Sequence, residues 1–325
     1  MNEHNGWRYA LIAVLLSLLL GLLAWMAKHP AEQAPELPEA VTTGTLQSLA
    51  ELDDQEPARR ALNIQTWRTT EGAKVLFVAA PELPMFDLRV TFAAGSSHDG
   101  QQLGVAMLTN AMLNEGIAGK DVTQIAEGFE NLGAEFGNGA YRDMAVVSLR
   151  SLSAPEQRTP ALALFSEVIG RPTFPEESLA RIQNQLLAGF EQQKQNPGKL
   201  ASLALFEHLY GSHPYAHASE GNAQSIPAID STALRAFHAR AYSAGNAVIA
   251  LVGDLSRSEA EAIAKQVSNA LPQGPAIAKL VQAEPPKAAR QHIEFPSAQT
   301  TLMLAQLGID RQDPDYPALY LGNQI

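Results

Sequence analysis

Hydrophobic and polar positions change rhythm along this chain, and the changes predict its elements. Residues 9–27 form a nearly unbroken apolar run. As a helix it would span roughly 28 Å, close to the hydrocarbon thickness of a bilayer. In residues 29–62 the prolines Pro30, Pro35, Pro38 and Pro57 interrupt helix and acidic residues keep the stretch solvated, with one short helical pattern over 45–53. From Asn63 the pattern is that of a folded domain. Residues 64–79 read as a hairpin around a Glu71-Gly72 turn. Residues 86–93 read as a strand, because Leu88, Val90 and Phe92 alternate with Asp87, Arg89 and Thr91. Helices are predicted over 103–114 and, capped by Asp121, over 121–132. A strand follows at 145–152, then helical patterns at 155–169, 176–195, 198–210, 232–242 and, capped by Ser256, 256–271. Residues 247–252 are a buried strand between the last two helices.

Residues 272–290 are punctuated by Pro272, Gly274, Pro275, Pro285 and Pro286, as an inter-lobe linker would be. A strand over 300–307 and a helix from Pro314 to the last residue then repeat the order of 88–113: strand, glycine-containing loop, apolar helix. Gly308 falls opposite Gly95 and Asn323 opposite Asn110. The chain stops inside the last helical pattern with no C-cap signal, so a fragment of a longer protein is expected. The expected fold class is α+β: an antiparallel-rich sheet with helices packed on one side, preceded by a single transmembrane helix. Its segments are 1–28 anchor or signal, 29–62 tether, 63–271 first αβ lobe, 272–290 linker, and 291–325 the start of a second, similar lobe.

Composition narrows the function classes. Hydrophobic residues make up 46% and charged residues 18% of 325, which is globular and excludes wholesale disorder, collagen and coiled coil. With 23 Lys and Arg against 34 Asp and Glu the formal net charge is −11, and no basic cluster offers a nucleic-acid footprint. The absence of cysteine removes disulfides, thiolate zinc ligands, Fe–S clusters and thiol nucleophiles together. The compartment rests on the first apolar run. Arg8 and the free amine precede it, whereas Lys28 is followed by Glu32, Glu36 and Glu39. This bias favours a cytoplasmic N-terminus and a bulk facing outward: a single-pass bacterial inner-membrane protein facing the periplasm. A cleaved signal peptide is the alternative, although Trp25, Met26 and Ala27 make a poor cleavage site.

Candidate chemistry is sparse. The glycines of residues 133–139 lead into a strand and not a helix N-terminus, so a turn is expected there and not a phosphate loop. Ser96, Ser97 and His98 adjoin, but no Gly-x-Ser-x-Gly elbow exists, and loop solvation is expected of them. His213 and His217 stand four apart, which on one helix would present both imidazoles on a single face. Gly211 and Pro214 make the segment a loop, where that relation fails. Trp67 is expected to pack across strands, Arg142 and Asp143 to form a local ion pair or turn contact, and Tyr215 to pack in its loop.

The order of motifs carries a resemblance. The hairpin with Thr70-Glu-Gly72 is followed by a strand ending in Gly95-Ser96 and a helix opened by Leu103-Gly104-Val105-Ala106. Then come Asn131-Leu-Gly133-Ala134, Arg142-Asp143, Asn196-Pro197, Gly211-Ser-His213-Pro214-Tyr215, Gly221, and Asn246 to Gly253-Asp254. From Asn63 onward this resembles the pitrilysin/insulinase family of zinc metallopeptidases, which includes the mitochondrial processing peptidases. Active members carry an inverted zinc motif, His-x-x-Glu-His, in which two histidines bind zinc and the glutamate is the general base. The family pattern aligns with Gly104 to Ala111, so Met107 and Ala111 stand at the histidine positions and Asn110 at the base. A third ligand, a glutamate, would fall near Gly189; Glu191 is two positions away, on another face of the helix. A thioether and a methyl cannot hold Zn²⁺ as imidazoles do, and an amide has no basic site near neutrality.

The resemblance therefore implies a chain with no catalytic, metal or cofactor site of its own. It implies a non-catalytic subunit of a heterodimer, paired with an active homologue that keeps His-x-x-Glu-His, helping to close a shared chamber and to hold an extended peptide, in part by edge-strand addition. Two alternatives stay open: a scaffolding homologue that binds proteins without peptide turnover, and a metalloendopeptidase with a rearranged site using His213 and His217.

Overall fold

The computed structural model describes residues 62–324. Residues 9–27, read above as a membrane anchor, lie outside them. Among the described residues no helix is long and apolar enough to cross a membrane.

Among the described residues eight strands and eight α-helices follow in chain order. β1 (Gln65–Arg68) and β2 (Lys74–Ala79) form the first hairpin, and β3 (Met85–Phe92) leads through a short 3₁₀ turn at Ser96–His98 into α1 (Val105–Ala111). β4 (Gly116–Ile117) and β5 (Lys120–Asp121) make a small hairpin before α2 (Val122–Glu130). β6 (Glu135–Ala140) and β7 (Ala145–Leu152) precede three helices: α3 (Pro155–Gly170), α4 (Glu176–Gln193) and α5 (Pro197–Tyr210). α6 (Ser231–Ala241), β8 (Ala247–Gly253) and α7 (Arg257–Ala270) close the core, and α8 (Tyr316–Gly322) follows a long irregular stretch.

Six strands form one mixed sheet in the order β1-β2-β8-β3-β7-β6. Only β2 and β8 run parallel. The register sorts side chains into rows. Val75, Ile249, Val90, Val147 and Asn138 share one row, and Phe77, Leu251, Leu88, Leu149 and Phe136 the next. The apolar members of these rows on β2, β8, β3 and β7 are fully buried. Phe136 stacks on Phe129 of α2 at 5.3 Å and meets Phe165 of α3 at 6.1 Å, which fixes this face as the one the helices cover. The alternate rows, such as Leu76, Ala250, Arg89, Ser148 and Gly137, lie on the opposite face. Strands of period two and helices of period 3.6 thus meet in a single apolar layer.

The predicted caps hold. Asp121 accepts from the Gln124 amide at 2.9 Å and Ser256 from the Glu259 amide at 3.2 Å, each in a reciprocal capping box. Two expectations need correction. Residues 135–140 are a strand and not part of a turn: paired to β7 on one side, they tolerate glycine because cross-strand hydrogen bonds are made by the backbone. Residues 300–307 form no strand. Leu302 and Leu304 are 89% and 96% exposed, and a lone extended segment with no strand beside it has neither ladder bonds nor a buried face to hold it.

Candidate functional site

Helix α1 is set in place from its N-terminus. Asp99, only 4% exposed, accepts from the backbone N–H groups of Gly104 at 2.7 Å and Ala106 at 2.9 Å. These are two of the donors that the first helical turn leaves without intrahelical partners. Burial pushes the Asp99 carboxyl up to about 6, outweighing the two N–H bonds and the pull of His217 and Arg240. Gly104 adopts a left-handed conformation, and a Cβ there would strike Ile226 and the backbone of Glu220 and Gly221. The segment before Gly221 therefore lies directly against the start of α1.

Three of the four motif positions lie on α1. Met107 and Ala111 are half-buried and share a face of α1, as a spacing of four residues requires. Asn110 lies on the adjoining face, turned into the core, and is 2% exposed. Its side-chain amide donates to the Val146 carbonyl at 3.4 Å and to the Tyr242 hydroxyl at 3.1 Å. Its backbone carbonyl accepts from the Asn138 side chain at 2.6 Å. One residue thus ties α1 to β7, α6 and β6. Burial pushes the Tyr242 phenol well above its ordinary range, so it stays neutral and can accept from the amide. Gly189 lies on α4, with nothing within 4 Å of where a Cβ would stand. Glu191 is exposed and pairs with Lys194 at 2.6 Å. α4 leans instead on residues 226–229, where the Gln183 amide donates to Ile226 and Ile229 carbonyls, both at 2.8 Å.

Arg142 and Asp143 do not pair with each other. Arg142 donates to the carbonyls of Tyr215 at 2.6 Å and His217 at 3.0 Å and lies 4.5 Å from the Phe206 ring centroid. Asp143 accepts from the Tyr215 hydroxyl. Partial burial, joined by this bond, pushes the Tyr215 phenol well above its usual range. The β6–β7 turn therefore holds the 213–217 loop, because five guanidinium donors can satisfy loop carbonyls that no ladder reaches. In that loop His213 Nδ1 accepts from the Tyr215 N–H at 3.2 Å, which leaves Nε2 protonated and donating to the Val281 carbonyl at 3.0 Å. His217 Nδ1 lies 2.9 Å from the Ala218 carbonyl. Both His213 nitrogens are committed to backbone, and among the described residues no three metal-ligating side chains cluster. Ser96 donates to Ser219 at 3.1 Å, and His98 lies half-buried near Arg240 with no serine bonded to its ring. Trp67 packs across to Phe77 and under the Arg257 guanidinium, 3.7 Å from its centroid.

β6 is the edge of the sheet beside α1. The Tyr141 N–H donates to the Met144 carbonyl, which fixes the phase of the ladder. The backbone N–H and C=O of Phe136, Asn138 and Ala140 then point away from β7, and no described strand pairs with them. Neither Asp99 nor Asn138 was legible in the sequence. Asp99 lies too far ahead of α1 for an N-cap pattern, and glycines mask the alternation of Phe136, Asn138 and Ala140.

Comparison with known proteins places these features. Residues 74–222 match the model of insulinase (peptidase family M16), and residues 228–325 that of the peptidase M16 inactive domain. A crystal structure from Pseudomonas fluorescens, described as a peptidase M16 inactive domain, is 74% identical with a TM-score of 0.80, over 81% of this chain and 64% of that one. The non-peptidase homolog YmxG of Helicobacter pylori is 28% identical over 195 residues, 60% of this chain and 45% of that protein. An uncharacterized zinc protease of Rickettsia bellii is 22% identical over 213 residues, 65% of this chain and 51% of that protein. The chain spans about half the length of the curated relatives it matches.

Proposed function

Because this chain belongs to the insulinase (M16) peptidase family, we propose that it is a non-catalytic subunit that holds an extended peptide or protein segment for an active, zinc-binding homologue. The observation that carries the reading is the commitment of Asn110. In the family's motif this position would hold the general base; here it carries a buried amide bonded to Val146 and Tyr242, while its carbonyl braces Asn138 on the open edge strand. An amide so engaged takes no proton from water. Met107 and Ala111, on the neighbouring face, offer zinc no nitrogen or carboxylate. What survives is the open edge of β6, which binds through backbone hydrogen bonds and needs no particular side chain. The names of relatives pull both ways, one a non-peptidase homolog and one a zinc protease. The engaged amide favours the first.

The partner is a homologue that keeps His-x-x-Glu-His, and the two chains close a common chamber. The apolar residues 9–27 and the proline-rich tether anchor the subunit in the bacterial inner membrane, with its bulk in the periplasm. Co-purification with such a homologue, followed by peptide cleavage with and without this chain, tests the proposal. Cleavage that falls when the chain is omitted is the expected result. Unchanged cleavage would leave only a scaffolding role.

A further inference from the structure

Gly137 and Gly139 of β6 point to the sheet face opposite the helices, as does Glu135, because Phe136 and Asn138 face α1 to α3. Glycine in a strand weakens it, and such a position often marks close approach by another backbone or a ligand. The fold does not demand glycine at 139. Its backbone is not left-handed, and a Cβ would meet only the Tyr141 ring, at 3.6 Å, an ordinary contact. Tyr141 is 53% exposed although its ring is large and apolar. Its ring lies beside Gly139, at the end of the row that continues through Val146, Thr91, Val248 and Lys74.

A strand laid against β6 would extend that row by one position. With no side chain at Gly139, the residue opposite it can reach across the strand to the Tyr141 ring, an edge-glycine arrangement that an aromatic partner stabilises. Four residues back on the same face stands Glu135, exposed at the outer edge. Arg150, its cross-strand neighbour, makes its hydrogen bonds to both carboxylate oxygens of Asp87, at 2.7 and 3.0 Å, and attracts Glu135 only through space. Arg89 lies two strands inward, in the row of Gly137. Glu135 therefore shares Arg150's field with Asp87, which takes the guanidinium's hydrogen bonds, and stands as the carboxylate nearest an incoming strand.

Resting on the peptide-holding reading above, we propose that Tyr141 and the Gly137–Gly139 face are a specificity site. It selects extended peptides with a bulky apolar, preferably aromatic, side chain opposite Gly139 and a basic residue four positions away opposite Glu135. Tyr141 is the specificity-determining residue and Glu135 its electrostatic complement.

The test uses fluorescence polarisation with the whole chain and two labelled peptides: Thr-Phe-Thr-Val-Thr-Lys, whose antiparallel addition to β6 sets Phe opposite Gly139 and Lys opposite Glu135, and the same sequence with Ala for Phe. The Phe peptide is expected to bind about fivefold more tightly, in line with an aromatic cross-strand contact. Tyr141→Ala removes an exposed ring and should bring both peptides to the weaker affinity. Glu135→Gln should weaken both and reduce the salt dependence. Asn138→Pro, which removes an outward N–H, should abolish binding of both. If both peptides bind wild type equally, and Asn138→Pro still abolishes binding, the specificity site is wrong and edge-strand holding stands. If neither peptide binds wild-type protein with an intact thermal melt, both claims fall together.

Discussion

At the residue scale, Asn110 decides what the chain can do. Its amide is buried with two acceptors, so Asn110→Ala leaves a polar hole and should cost about 2 kcal/mol, measured by denaturant melts. Asn110→Glu, which restores the family's base in name, places a carboxylate where only Val146 and Tyr242 are in reach. It should destabilise by roughly 3 kcal/mol and restore no hydrolysis, because the zinc ligands are still missing. Asp99 gives a pH signature. Its folded pKa, about 6, stands above its ordinary 3.8, so the folded state binds a proton more tightly than the unfolded one. The stability it contributes is full below pH 4 and is lost as pH rises through about 6. His238 acts oppositely: buried, with Nε2 on the Ile169 carbonyl at 2.8 Å, it is held neutral, and stability falls as acid protonates the unfolded chain below about pH 6.5. Melts of Asp99→Asn across pH 4 to 7 should lose the first trend and keep the second; a wild-type slope in that variant would refute the assignment. The sequence pointed to Asn110 as a lost base. Its new partners lie 36 and 132 residues away, and no local pattern announces a contact made through a sheet.

At the element scale, strands and helices with strong periodicity were legible, and their buried rows follow from alternation in β3 and β7. β6 was not, because its glycines offer little apolar signal and its strand character comes from pairing with β7. The predicted strand at 300–307 failed for the converse reason: Leu302 and Leu304 alternate well but have no sheet to join. Arg142 and Asp143 read in the sequence as a local ion pair or turn contact, whereas Arg142 reaches a loop more than 70 residues on. Arg142→Ala should therefore loosen residues 213–219 and not the turn itself. Hydrogen exchange should show faster exchange in that loop, at a stability cost of about 1–3 kcal/mol. Protection unchanged there would mean that Phe206 and Asp143 hold the loop without the guanidinium.

At the scale of the whole molecule, a family fold carries a motif helix without the family's zinc ligands or base. The family's architecture was readable from an ordered set of weak motifs, and the matches over 74–222 and 228–325 agree with it. An open edge strand, a helix braced by buried amides and a loop clamped by Arg142 are parts suited to holding a chain of peptide. The measurement that tests this most directly is incubation of the purified chain alone with a basic, aromatic-containing peptide and stoichiometric zinc, with and without a chelator. Binding without cleavage, insensitive to the chelator, is the expected result. Turnover by the isolated chain that zinc supports and chelation stops would contradict it.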